Sequence, residues 1–419
     1  MLIKRRFVKH LAFYTLFAFL NKGMSFLLTP LFTRYLSPED YGIYALFLTA
    51  IMISDPFISF CVGDVIGNVY YKPSEYPIRE YVSAFLFFCA GTFGLQILGL
   101  AGLILSPLGK FDVLPWLLLA PLAALSGIVT GVLYGMWQLK ENPVSYGVFN
   151  FCYILTQLLL QVGATVVLRL GWRGVLAAQG LLALLTLPVA LALLARNGWL
   201  GFCFNKKCLR FGLKFGLGFI PNVLAVRLND SIGRLLISQT LNLAETGVYS
   251  VGQKLGAVMN VYNQAFFNTY RPWLLKKLAG DARRERRKIV LSVALSFAST
   301  TAFAWAGSLC VYLFSEFILG KGFERSIVFV FWSASAYALN GMYNVVSLFI
   351  YQTGKSWILS LLTVTTVGLN ALGAWRFLRV FGLIGAAYAP VLAWTATLAL
   401  SIAVAAKLMK RRAQDSTKR

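Results

Sequence analysis

The chain has 419 residues, 58% of them hydrophobic and only 13% charged, with a mean hydropathy of +0.70. Soluble chains run near 25% charged, so a water-soluble globule is excluded. The formal net charge of +24 does not point to nucleic acid either. The basic residues lie in short clusters between apolar runs, the placement expected of a polytopic membrane protein.

The first apolar run, 11–33, is long enough to cross a hydrocarbon core of about 30 Å. It follows a basic start and carries no small-residue cleavage site, so it reads as a first spanning helix and not as a removed signal peptide. Lys22 sits halfway along it. An ammonium there costs roughly 2.5–3.5 kcal/mol on insertion scales and should face a wet cavity or a partner. At helical spacing it shares a face with Thr15, Ser25, Thr29 and Thr33. Pro30 weakens the last turns, and TRYLSPEDYG then reads as a short polar turn.

The apolar runs predict twelve helices: roughly 11–33, 42–63, 81–106, 113–137, 144–168, 174–195, 212–238, 246–270, 289–314, 326–350, 356–375 and 382–406. With the N-terminus inside, the inner loops and tails hold most of the Lys and Arg, led by RPWLLKKLAGDARRERRK and KLMKRRAQDSTKR. Arg169, Arg173, Arg376 and Arg379 oppose this orientation and are outvoted. Both termini are therefore expected in the cytosol. Four cysteines, Cys61, Cys89, Cys152 and Cys310, fall in apolar runs and read as small buried hydrophobes. Cys203 and Cys208 lack the neighbours a metal site would need.

The chain repeats itself. Leu31, Leu36, Gly42 and Tyr44 recur 205 positions later as Leu236, Leu241, Gly247 and Tyr249, with conservative pairs between them, Ser37/Asn242 and Asp40/Glu245 included. The same offset carries Lys22 onto Arg227, Ser25 onto Asp230 and Thr29 onto Arg234. A cation falling on a cation played no part in setting the offset. A second echo places Gly171-Trp172-Arg173-Gly174 against Gly382-Leu383-Ile384-Gly385. Six helices per half make the halves parallel repeats about an axis along the membrane normal. The expected fold is all-α, with two six-helix lobes, 1–200 and 201–419, around a central cavity.

Chemistry concentrates on the seventh helix, where Arg227, Asp230 and Arg234 share one face. A self-neutralising cluster that only fixes packing is one reading. The other rests on the surplus positive charge, to which Lys22 and Lys254 add. A net cationic cavity deep in a membrane calls for an anionic substrate, with Arg suited to forked contacts with phosphate oxygens. Gln253, Asn260 and Gln264 follow along one side of helix eight. Asp55, beside Pro56, reads either as a proton or sodium coupling site or as a carboxylate paired with Lys22 or another cation. Asp230 is the second candidate for coupling. The single His10 sits in the basic N-terminal segment, and no metal-ligand cluster, P-loop or nucleophile motif occurs, so neither an enzyme nor a cofactor is expected.

LTPLFTRYLSPEDYGIYAL, GDVIGNVYYK, Pro221 and AETGVYSVGQKL together resemble the signature of the O-antigen and polysaccharide flippases. These belong to the multidrug/oligosaccharidyl-lipid/polysaccharide exporter superfamily. The resemblance runs over nearly the whole chain. It departs at Asn68 and Gly233, where that family often has Arg and Asp. It implies a protein of the inner membrane that moves a polyprenyl-pyrophosphate-linked oligosaccharide from inner to outer leaflet, with the two lobes rocking about the cavity. Membrane lipids, and a polysaccharide polymerase and glycosyltransferases, are the implied partners. A multidrug exporter shares the fold but more often presents acidic groups to cationic drugs. Lipid II flippases usually carry two further helices. A membrane-embedded polymerase or ligase would need a larger outer loop than the one near 314–325.

Overall fold

A computed structural model describes residues 28–105, 115–279, 285–353 and 356–415. Lys22 and the rest of the first apolar run up to residue 27 lie outside the described residues. The described residues form helices throughout, with no strand among them, and eight helical stretches are long and apolar enough to cross a membrane. The protein is a multi-pass membrane protein.

Helix α1 is described over residues 28–35. The segment read as a polar turn is in fact the start of α2, Pro38–Ser59. Ser37 accepts the Asp40 N–H at 3.1 Å, while Asp40 Oδ2 accepts the Ser37 N–H at 3.3 Å. This reciprocal capping box, with proline at the first helical position, starts the helix four residues before its apolar run begins. Phe60 and Cys61, both in the left-handed region, end it. A 3-10 turn, Val62–Val65, leads into α3, Ile66–Tyr70, and α4 follows over Ile78–Leu105. Helices α5, Leu119–Leu139, and α6, Pro143–Val162, come next, the latter ending in a π turn at Gly163–Val167. Helix α7 spans Gly171–Arg196 and α8 spans Lys206–Thr240.

The chain divides into two compact units, Met1–Leu224 and Ala225–Arg419, so the division falls inside α8. In the first unit the core gathers Tyr81 and Phe85 of α4, Leu133 and Met136 of α5, Leu194 of α7 and Cys208 of α8. The start of α8 comes so close that a Cβ on Gly212 would lie 2.6 Å from the Tyr81 hydroxyl, and one on Gly216 would strike the Phe60 carbonyl. Polar side chains join helices where no water can serve them. Thr92 Oγ1 of α4 donates to the Ile58 carbonyl of α2 at 2.8 Å, and Ser126 of α5 meets Thr186 of α7 at 2.7 Å.

The second unit holds the rest of α8 with α9, Leu243–Gly256; α10, Met259–Ala279; α11, Arg286–Leu313; and α12, Ser315–Ile318. It is completed by α13, Ser326–Tyr351; α14, Ser356–Phe381; and α15, Gly385–Asp415. Helix α13 is enclosed, packing against α9, α10, α11 and α15. Gly252 and Gly256 bring α9 tightly onto it: a Cβ at Gly252 would lie 2.5 Å from the Ser326 carbonyl, and one at Gly256 2.7 Å from Ser333 Cβ.

The eighth predicted helix is not one rod. Beyond Gly256 the bonds shorten to the three-residue pattern, Val258 N–H to the Leu255 carbonyl and Asn260 N–H to the Ala257 carbonyl. This tightened turn separates α9 from α10. Cys152 and Cys310, expected buried, are exposed. An apolar run that crosses a membrane turns one side to lipid, so lying in such a run does not mean lying in the core.

The repeat reappears bond for bond. Leu36 N–H to the Phe32 carbonyl and Leu241 N–H to the Ile237 carbonyl are both 2.8 Å. Thr33 donates to the Pro30 carbonyl as Ser238 donates to the Leu235 carbonyl. The second echo holds too, since Gly171 and Gly382 both open a turn at positive φ, 58° and 64°.

Candidate functional site

The face of α8 with Arg227, Asp230 and Arg234 belongs to the second unit. There a small cavity is lined by Asn229, Asp230 and Gly233 of α8, Tyr249 and Gln253 of α9, Ser333 and Tyr337 of α13, Asn370 of α14, and Pro390 and Trp394 of α15. Its volume, about 20 Å3, holds one or two waters and is far too small for a sugar.

Its frame is built of backbone carbonyls and amide side chains. The Asp230 carbonyl accepts Gln253 Nε2 at 2.9 Å and the Arg234 guanidinium at 3.2 Å. Asn370 Nδ2 donates to the Asn229 carbonyl at 3.0 Å and to Asn229 Oδ1 at 2.9 Å. Asp230, Arg234, Tyr249 and Tyr337 lie within electrostatic reach of one another. The glycine at 233 has a local reason: a Cβ there would lie 2.9 Å from the Tyr249 hydroxyl. The tyrosine thus occupies the space a larger residue at 233 would need. A carboxylate, hydroxyls and amides around a water-sized space suit a water or a small hard cation. No group of three His, Cys, Asp or Glu that could hold a metal occurs among the described residues.

Of the residues expected from sequence, the structure brings Asp230, Arg234 and Gln253 together. Arg227 and Lys254 are half-buried on the same two helices but do not line this cavity. Asn260 lies past the break, on α10, and is not part of it. Asp55 is in the first unit, half-buried on α2, where it accepts a hydrogen bond from Ser59 at 3.5 Å. Sequence reasoning missed Asn229, Tyr249, Ser333, Tyr337, Asn370 and Trp394. An asparagine amid the apolar residues of α14 was the one visible signal.

The fold is that of known membrane transporters. A multidrug resistance MATE family transporter of the MOP superfamily, in an inward-facing conformation, superposes with a TM-score of 0.73 over 93% of this chain and 96% of that one, at 14% identity. The lipid II flippase MurJ, in an inward closed conformation, gives 0.66 over 94% and 87%, also at 14% identity. A Vibrio cholerae MATE transporter, VcmN, gives 0.53 over 97% of each chain at 15% identity. At these identities the likeness is one of fold, the all-α polytopic fold of twelve helices. No curated protein matches the chain in sequence. Residues 7–277 match the family model described as polysaccharide biosynthesis protein, and the chain belongs to that family.

Proposed function

We propose that the protein is a flippase for polyprenyl-pyrophosphate-linked oligosaccharide repeat units of an O-antigen, capsule or exopolysaccharide. It moves them from the inner to the outer leaflet of the inner membrane by alternating access. The observation that carries this reading is the cationic face of α8, Arg227 and Arg234 around one carboxylate, on a membrane-spanning helix of a chain in this family. With Lys22, Lys254, Gln253 and Asn260 these residues take the pyrophosphate and neighbouring polar groups, and Asp230 and Asp55 couple the cycle to an ion. A glycosyltransferase that builds the repeat unit and a polymerase that joins it are the partners this chemistry needs. Both termini and the basic segment 271–288, which joins the end of α10 to the start of α11, lie in the cytosol, which cysteines introduced at Ala282 and Ser416 test: they should label only once the inner membrane is opened.

The direct test is deletion. Cells lacking the protein should accumulate lipid-linked oligosaccharide on the inner leaflet while its assembly there continues. Display of the finished polymer in the absence of any related flippase overturns the reading. Export of cationic drugs, the alternative this fold also serves, fits less well with the surplus of positive charge on α8.

A further inference from the structure

We propose that α10 presents the binding face for the sugar rings of the lipid-linked substrate. This rests on the flippase reading above and adds a site distinct from the charged face of α8.

Two helices of the second unit, α10 and α13, are long enough to span a membrane but are not among the eight sufficiently apolar stretches. Helix α13 is enclosed by its neighbours. Among the described residues helix α10 is not, and Gln264, Asn268, Thr269 and Arg271 are exposed along it. The amide of Asn268 and the guanidinium of Arg271 would be costly if turned toward lipid. This face therefore meets water in the folded protein.

Along the border nearest α11 runs a ladder of rings. Phe303 of α11 lies on Tyr262 at 4.3 Å, and Tyr262, Phe266, Tyr270 and Trp273 follow at 6.0, 5.1 and 5.5 Å, the first three contacts within 19° of parallel. The Tyr262 hydroxyl donates to Ser299 and the Tyr270 hydroxyl pairs with Ser292, both at 2.9 Å, which fixes the ring orientations. Small exposed residues, Ala265 and Thr269, lie between the rings and the amides. From Tyr262 to Trp273 the ladder extends about 16 Å along the helix, longer than one sugar ring.

A pyranose has hydroxyls at its rim and an apolar C–H face. Amides at one border and aromatic rings at the other match those two features. From Met259 to Tyr270 the helix carries no charged side chain, and the next residue, Arg271, lies over the Phe267 and Tyr351 rings at 6.0 and 5.7 Å, so this stretch suits neutral sugar rings better than a pyrophosphate.

The test uses the purified full-length protein in lipid nanodiscs with two probes. One is undecaprenyl pyrophosphate. The other is the oligosaccharide-bearing form of that lipid, extracted from cells lacking the transporter. Phe266→Ala and Asn268→Leu should each weaken binding of the oligosaccharide-bearing lipid by about tenfold, the loss of one good contact, and leave undecaprenyl pyrophosphate unchanged. Phe266→Tyr, which keeps the ring, should bind as the unaltered protein does, and thermal unfolding should show all three folded. Equal weakening for both lipids, or none for either, overturns the proposal and leaves the flippase reading standing. Failure of the unaltered protein to bind the oligosaccharide-bearing lipid overturns both.

Discussion

Ser37 and Asn242, 205 positions apart, cap equivalent helices with the same bond. Ser37 accepts the N–H of Asp40 at 3.1 Å, and Asn242 accepts that of Glu245 at 2.8 Å. Each satisfies a donor at a helix start that the helix cannot serve itself. The bonds just ahead of the caps and just inside them are shared as well, Tyr41 N–H to the Ser37 carbonyl and Thr246 N–H to the Asn242 carbonyl. A duplicated sequence has kept its hydrogen bonds where most of its side chains have changed.

Caps that share one role should be interchangeable. Ser37→Ala and Asn242→Ala should each cost about 1 kcal/mol of stability, while Ser37→Asn and Asn242→Ser should cost a few tenths at most. Thermal unfolding in detergent measures this. A swap as damaging as alanine would refute the equivalence.

Helix α8 offers a matched pair of glycines. Gly216→Ala drives a methyl into the Phe60 carbonyl and should cost about 1–3 kcal/mol, whereas the Cβ of Gly218→Ala meets nothing within 4 Å. The second substitution should leave stability unchanged or raise it, since alanine favours helix by up to about 1 kcal/mol. The same unfolding assay checks both variants, and equal losses would contradict the packing described.

Asp230 allows a test of coupling. Gln253 and Arg234 both bond to its backbone carbonyl, not to its carboxylate. Asp230→Asn therefore removes a charge and leaves these two bonds in place. Transport by this variant should lose its dependence on a proton or sodium gradient while protein levels stay normal. Gradient dependence that persists in both Asp230→Asn and Asp55→Asn would remove ion coupling from the reading.

Charge should matter more than shape at the cationic positions. Arg227→Lys and Lys22→Arg should keep appreciable transport, and Arg227→Ala and Lys22→Ala should lose most of it through weaker substrate binding. Removing a membrane charge favours insertion, so protein levels will not fall. Quantified binding of undecaprenyl pyrophosphate separates this from misfolding; normal transport by both alanine variants would make the cations structural.

Between α10 and α11, Glu285 accepts from Lys277 at 2.8 Å, with Lys288 at 3.8 Å. The Lys277 hydrogen bond holds its carboxyl below the usual glutamate value. A carboxyl depressed in the folded state adds stability above its unfolded pKa of about 4.3 and loses it as pH falls through the folded value. The stability gap between the unaltered protein and Glu285→Gln should be full near neutrality and close below about pH 4. A gap independent of pH would show the pair contributes nothing.

Much of this molecule could be read from its sequence, because membrane spans are long, local signals. The repeat was legible for the same reason: Gly42, Tyr44 and their counterparts keep their spacing. The start of α2 was not, since the capping serine lies outside the apolar run that marks the span. The break after Gly256 was hidden because no proline announces it; its neighbour is α13, which is 70 or more residues away in sequence. The cavity around Asp230 drew Tyr337, Asn370 and Trp394 from three later helices. No spacing rule links residues so far apart, and only packing brings them together.

The low apolarity of α10 bears on how the protein is made. A segment with Asn260, Asn263, Gln264 and Asn268 cannot partition into lipid by itself as it leaves the ribosome. Its stable place depends on bonds to chain synthesised later: Ser292 and Ser299 of α11 for its tyrosines, and the Tyr337 carbonyl of α13 for Asn263. Residues 259–279 therefore complete these contacts only after α11 and α13 have been synthesised. The order of synthesis, and not hydropathy alone, decides when this helix becomes part of the membrane.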